Sequence, residues 1–201
     1  MNFTKIDFIV FASAILGVLV SVVTAFIALR TRTKKVSVKI NEELKPEKHS
    51  GLIILLGPSS GSAPSAIDFH LPNLTYCWMI GTHESLPTIQ QLIKKFPAIK
   101  FYWGDDYMVN PDEVGSSYDI ISRIFNKELP ATTLDPTDII ADITGGLKPM
   151  SAGMTLACTE LQHKMQFMKA PRDQDGSVIR GGIPEPVKVD VILNHSLLPK
   201  K

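Results

Sequence analysis

The chain has 201 residues, 21 Lys and Arg against 20 Asp and Glu, and a formal net charge of +1. That balance argues against a large nucleic-acid surface, so no direct binding of DNA or long RNA is expected. Two cysteines, Cys77 in an apolar run and Cys158 in a helix-like stretch, read as buried reduced thiols rather than a disulfide.

Residues 8–29 carry no charged side chain and are dominated by Val, Ile, Leu, Phe and Ala. Roughly 22 residues at about 1.5 Å rise span on the order of 33 Å, enough for a bilayer core of about 30 Å. The run ends in Arg30, Arg32, Lys34 and Lys35, a stop-transfer pattern rather than a signal-peptide cleavage site. The expectation is a transmembrane helix within residues 1–30, N-terminus outside and the remainder cytoplasmic by the positive-inside rule. On that helix Ser13, Gly17, Ser21 and Thr24 fall within an arc of about 80°. Such a stripe either packs helices against one another or lines a pore in an oligomer.

Residues 31–50, rich in Lys and Glu with Pro46, read as a juxtamembrane linker, in which Val36, Val38 and Ile40 alternate as a short strand would. Residues 51–201 supply about 150 residues, enough for one domain with a full core. Short apolar runs predict strands near 52–56, 76–80, 99–102, 138–143 and 165–168. Helical spacing predicts helices near 85–96, 111–126 and 149–161. Residues 178–179 and 187–193 read as a terminal hairpin joined through Gly181, Gly182 and Pro184. Alternation of strands and helices predicts an α/β fold of Rossmann type with a mainly parallel sheet.

In such sheets ligands lie outside the carboxyl ends of the strands. Three loops there attract attention. Gly57-Pro58-Ser59-Ser60-Gly61-Ser62 follows the first strand and offers small hydroxyl residues. Gly81-Thr82-His83-Glu84 follows the second. Asp142-Ile143-Thr144-Gly145-Gly146-Leu147-Lys148-Pro149-Met150 follows the fourth and enters a helix. Two glycines with a lysine and a proline at a helix start can bring backbone N–H groups up to a phosphate. A turn followed by a helix start is the structural alternative. Neither G-x-G-x-x-G nor G-x-x-x-x-G-K-[ST] occurs, which disfavours dinucleotide dehydrogenases and P-loop NTPases.

The run Asp142-x-Thr144-Gly145-Gly146-x-Lys148-x-Met150 with Ser151 and Gly153 resembles the signature of CARF domains, the CRISPR-associated Rossmann-fold sensors. The resemblance extends over roughly residues 51–193. It implies that two domains pair and bind a cyclic oligoadenylate, cyclic tetra-adenylate above all, across their two-fold axis, with no other cofactor. By motif position Thr144, Gly145, Gly146, Lys148 and Met150 would form the ligand site, with Ser59 and Ser60 opposite and Thr82 beside them; Met150 would act by packing. Asp142 would orient the loop.

No R-x(4–6)-H or PD…(D/E)xK nuclease pattern occurs, and the chain is therefore expected not to be an enzyme, with ring-nuclease activity on the messenger left open. A span followed by such a sensor resembles the small CRISPR-associated membrane proteins. This implies an antiviral effector of the cell inner membrane, in contact with lipid, a dimer or tetramer that opens a pore and depolarises the membrane on binding its ligand. A membrane-anchored sensor that recruits a partner is the alternative. His83 reads as a loop histidine, His163 as a helix-end residue and Trp103 as an anchor of the third strand. Asp105, Asp106, Asp112 and Glu113 read as loop and helix N-terminal acids, so no metal site is expected.

Overall fold

The computed structural model describes residues 17–23, 34–44, 46–59 and 61–197. One sheet of seven strands comprises β1 (Lys34–Leu44), β2 (Gly51–Leu56), β3 (Tyr76–Gly81), β4 (Lys100–Tyr102), β5 (Ile139–Asp142), β6 (Met165–Lys169) and β7 (Glu185–Leu197). Their order is β1-β7-β6-β5-β2-β3-β4. Pairings among β2 to β6 are parallel, and β7 runs antiparallel to β6. The α/β class with a mainly parallel sheet is as the sequence predicts.

Residues 39–192 form one compact unit. Four helices of this unit connect its strands: α1 (Ala63–His70), α2 (Leu86–Lys95), α3 (Val114–Arg123) and α4 (Lys148–Leu161). Because side chains alternate along a strand, each strand feeds two cores. Ile53 and Leu55 of β2 pack with Trp78, Ile139, Ile121, Met150 and Met154 on the face covered by α3 and α4. Leu52, Ile54 and Leu56 pack with Cys77, Met79, Ile67, Ile89 and Leu92 under α1 and α2. All six residues of β2 are buried, as a central strand covered on both faces requires. Cys77 and Cys158 are free and buried; burial raises both thiol pKa values, that of Cys158 to about 12.

Two departures from the sequence reading concern pairing. The alternation Val36, Val38, Ile40 lies in an eleven-residue strand, β1, within what reads as a linker. The hairpin expected between residues 178–179 and 187–193 is not formed. Residues 187–193 belong to β7, which pairs with β6 through Met165↔Val189 and Phe167↔Val187, while Val178 bridges to Arg172. Helix α1 was not predicted, because its eight residues carry only two turns of apolar spacing behind Pro64.

The other unit groups residues 1–38 and 193–201. Within it residues 17–23 are helical, with Val18, Leu19, Val20, Val22 and Val23 exposed. Ser21 Oγ donates to the Gly17 carbonyl at 2.8 Å. Among the described residues no helix is long and apolar enough to cross a membrane. The single-pass inner-membrane localisation is corrected on that finding: an uncharged run measures compatibility with lipid and does not by itself establish a span. Ser13 and Thr24 lie outside the described residues.

Candidate functional site

From β2 the chain moves outward to β3 and β4, then returns to form β5 on the other side of β2. Strands β2 and β5 are parallel neighbours, with Ile54 opposite Asp142. Their following helices, α1 and α4, leave toward opposite faces. At such a reversal the two loops part and open a crevice at the carboxyl edge. The loops flanking it are residues 57–62 and 143–147, two of the three segments singled out from the sequence.

The glycine loop is pressed onto β2. A Cβ on Gly145 would lie 1.9 Å from the carbonyl oxygen of Leu55, and one on Gly146 would meet Leu55 Cβ at 3.0 Å and Met150 Cε at 3.1 Å. Gly146 also has φ of +73°, where side chains are disfavoured. Ser151 Oγ donates to the Gly145 carbonyl at 3.1 Å, and the Leu147 amide lies 3.4 Å from Met150 Sδ. Met150 is fully buried and acts through packing. Lys148, the first residue of α4, is exposed and has no ion-pair partner among the described residues. Pro149 brings no N–H, whereas the other first-turn amides have no acceptor one turn back.

Thr144 is exposed as a residue, yet its polar atoms turn inward. Its amide donates to Asp142 Oδ1 at 2.8 Å, and its Oγ1 accepts from the Met168 amide at 2.6 Å. Asp142 Oδ2 accepts from Gln166 Nε2 at 3.0 Å. Burial raises the pKa of Asp142, and the Thr144 and Gln166 hydrogen bonds oppose that shift. Asp142 therefore orients the loop, and Thr144 is a brace within it.

On the other side of the crevice Ser59 is exposed, and Ser60 lies outside the described residues. The loop is tied to α2 by Thr88 Oγ1, which donates to the Pro58 carbonyl at 2.9 Å. Beside it Thr82 is half-buried, its amide donating to Ser85 Oγ at 2.9 Å and its carbonyl accepting from that hydroxyl at 2.6 Å. A Cβ on Gly81 would lie 2.1 Å from Ser85 Oγ, so this turn also depends on a glycine. His83 is exposed at its tip.

The remaining candidates fall elsewhere. Trp103 is 43% exposed and does not anchor its strand; Trp78 fills the core instead, donating from Nε1 to Glu128 Oε2 at 3.0 Å. His163 follows α4 and stacks on Phe125 with ring centroids 3.6 Å apart. Asp105 and Asp106 begin a short 3-10 turn. Among the described residues no three His, Cys, Asp or Glu side chains cluster as metal ligands. Sequence reasoning missed Gln166 and His70, both fully buried; a polar residue inside the apolar run Met165-Gln166-Phe167-Met168 was the available signal for the first.

No protein-family model matches the chain, and no curated protein matches it. Among solved structures it is similar to Can2 from Sulfobacillus thermosulfidooxidans in complex with cyclic tetra-adenylate (cA4). That likeness has a TM-score of 0.50 and 14% identity over 60% of this chain and 31% of Can2. A type III CRISPR defence DNA nuclease activated by cyclic oligoadenylate is also similar, with a TM-score of 0.49 and 14% identity over 65% of this chain and 20% of the nuclease. The chain thus matches about a third and a fifth of these proteins, and shares a fold with part of Can2. The expectation of a non-enzyme is corrected, since the fold shared with part of Can2 does not itself exclude catalysis. Its physical basis was narrow: two missing motifs exclude two nuclease chemistries, not catalysis.

Proposed function

We propose that the carboxyl edge formed by residues 57–62 and 142–148 binds a cyclic oligoadenylate, with cyclic tetra-adenylate as the first candidate, and that the chain is a CARF-like sensor of type III CRISPR antiviral defence. The observation that carries this reading is the seat of Gly145 beneath the Leu55 carbonyl, at the crevice between two parallel strands. That seat sets the start of α4, with first-turn amides that have no acceptor one turn back and the Lys148 ammonium, where an anion is favoured. Ser59 and Thr82 lie in the loops after β2 and β3, at the same carboxyl edge of the sheet. The sharing of a fold with cA4-bound Can2 supports the choice of ligand.

A ring that repeats the same phosphate suits two copies of the chain, each presenting one such edge. The response coupled to binding is control of a nuclease, the activity of one neighbour, and no residue of this chain is assigned a catalytic role. Titration calorimetry of the full chain with cyclic tetra-adenylate tests the proposal. Saturable binding at one ring per two chains is the expected result. Absence of binding by cyclic tetra-adenylate and by its three- and six-membered analogues would overturn it.

A further inference from the structure

Behind the glycine loop a line of buried polar side chains crosses the sheet under α1. The amide of His49 donates to His70 Nδ1 at 3.1 Å, His70 Nε2 lies 3.0 Å from Gln166 Oε1, and Gln166 Nε2 donates to Asp142 Oδ2 at 3.0 Å. Asp142 Oδ1 then accepts the Thr144 amide. His49, His70, Asp142 and Gln166 are at most 3% exposed, and no buried side-chain polar atom among the described residues lacks a partner. In an apolar core such a line is costly unless every member is paired.

The line has a fixed direction. A backbone amide only donates, so His70 Nδ1 must accept, and Nε2 must carry the proton and donate to the Gln166 carbonyl oxygen. The Gln166 amide nitrogen is then forced to face Asp142. Both carboxylate oxygens accept, which is the arrangement an ionised carboxylate satisfies.

We infer that His70 and Gln166 are positioning residues for the candidate ligand site, acting through Asp142 to hold the Thr144 amide and hence the glycine loop in its binding geometry. The inference rests on the proposed ligand reading for its functional consequence, but its structural core stands apart from it. Reversing one donor breaks the line, whereas a packing role would depend only on side-chain volume.

Gln166→Glu makes that reversal with almost no change in shape. The introduced carboxyl faces Asp142, and the pair holds one proton at the acid end and loses it as pH rises. While the proton is held, an O–H replaces the amide donor. Other titratable groups around the line are His49 and His70 themselves, Lys164 with Glu47 beside His49, and Lys48 and Asp138 nearby. Burial lowers both histidine pKa values, that of His70 to about 4, so both histidines are neutral over roughly pH 7 to 9.

The experiment follows the Thr144 amide resonance of the full chain over that range, alongside cyclic tetra-adenylate binding. Wild type is expected to be flat, and Gln166→Glu to lose the wild-type shift as pH rises, with affinity falling about ten-fold in step. A variant resonance identical to wild type at every pH would overturn the inference. As a second pair, His70→Gln, which can accept and donate in the same direction, should keep the wild-type resonance and His70→Leu should lose it. Equal resonances in those two folded variants would also overturn it. If wild type binds no cyclic tetra-adenylate, the ligand reading falls, and the Thr144 resonance still decides the positioning role.

Discussion

Gly145 sits so close to Leu55 that a single added methyl carbon would lie 1.9 Å from the Leu55 carbonyl oxygen. No rotamer change relieves that contact, because the obstacle is backbone at the end of a central strand. The glycine pair therefore fixes the distance between the two loops of the crevice as well as permitting a turn.

Gly145→Ala is expected to lift the loop from β2. Overpacking of this kind costs about 1–3 kcal/mol, and thermal unfolding of the variant should report a loss in that range. Ligand binding should fall by more than the stability loss accounts for, because the start of α4 moves with the loop. Unchanged unfolding would show that β2 and the loop part freely.

Lys148→Ala should leave stability within about 0.5 kcal/mol, since the side chain is exposed and bridges nothing among the described residues. Affinity for cyclic tetra-adenylate should drop about ten-fold or more, as for a lost charge-assisted hydrogen bond, and the salt dependence of binding should become shallower. Calorimetry at two ionic strengths measures both effects.

Acid should destabilise the 39–192 unit through its buried histidines. The His70 pKa is lowered from 6.5 to about 4 by burial, so between those values the unfolded chain binds a proton that the folded chain does not. Stability is thus fully present above about pH 6.5 and lost as pH falls toward 4, by up to about 3 kcal/mol for this group. His49 and His163 act in the same direction. Asp142, whose pKa is raised, acts in the opposite one. Denaturant unfolding of wild type and His70→Gln at several pH values isolates the His70 share: the slope in this window should be smaller in the variant.

A polar cluster away from the crevice offers a contrast. Glu128 Oε2 accepts from Trp78 Nε1 at 3.0 Å and from Tyr107 OH at 2.6 Å, and Oε1 lies 3.3 Å from Arg123 Nε. Glu128→Gln should cost about 1–3 kcal/mol by leaving one of these donors without its acceptor. Trp78 fluorescence should change, and affinity for cyclic tetra-adenylate should not.

Much of this organisation was legible in the residues. Apolar runs of strand length located β2, β3, β5 and β6, because both faces of these strands are covered and the runs stand out from polar loops. The two loops at the reversal were legible from their glycines. The partner of β7 was not, since its antiparallel pairing with β6 spans a long connection, and nearby Gly181, Gly182 and Pro184 suggest a local hairpin instead. Nor was the inward turn of Thr144, whose amide is held by Asp142 and whose hydroxyl oxygen accepts the Met168 amide. The uncharged stretch 8–29 read as a span because hydropathy alone decides that pattern; only residues 17–23 of it are described, and among the described residues no helix is long and apolar enough to cross a membrane.

Binding of a cyclic oligoadenylate at the glycine loop is the proposal on which the ligand predictions depend. The most direct measurement is calorimetric titration of cyclic tetra-adenylate into the full chain and into Lys148→Ala and Gly145→Ala, with linear tetra-adenylate as the competitor. Tight binding of the ring, weak binding of the linear form and loss in both variants is the predicted result. Wild-type affinity retained in both variants, or no binding of the ring at all, would contradict it.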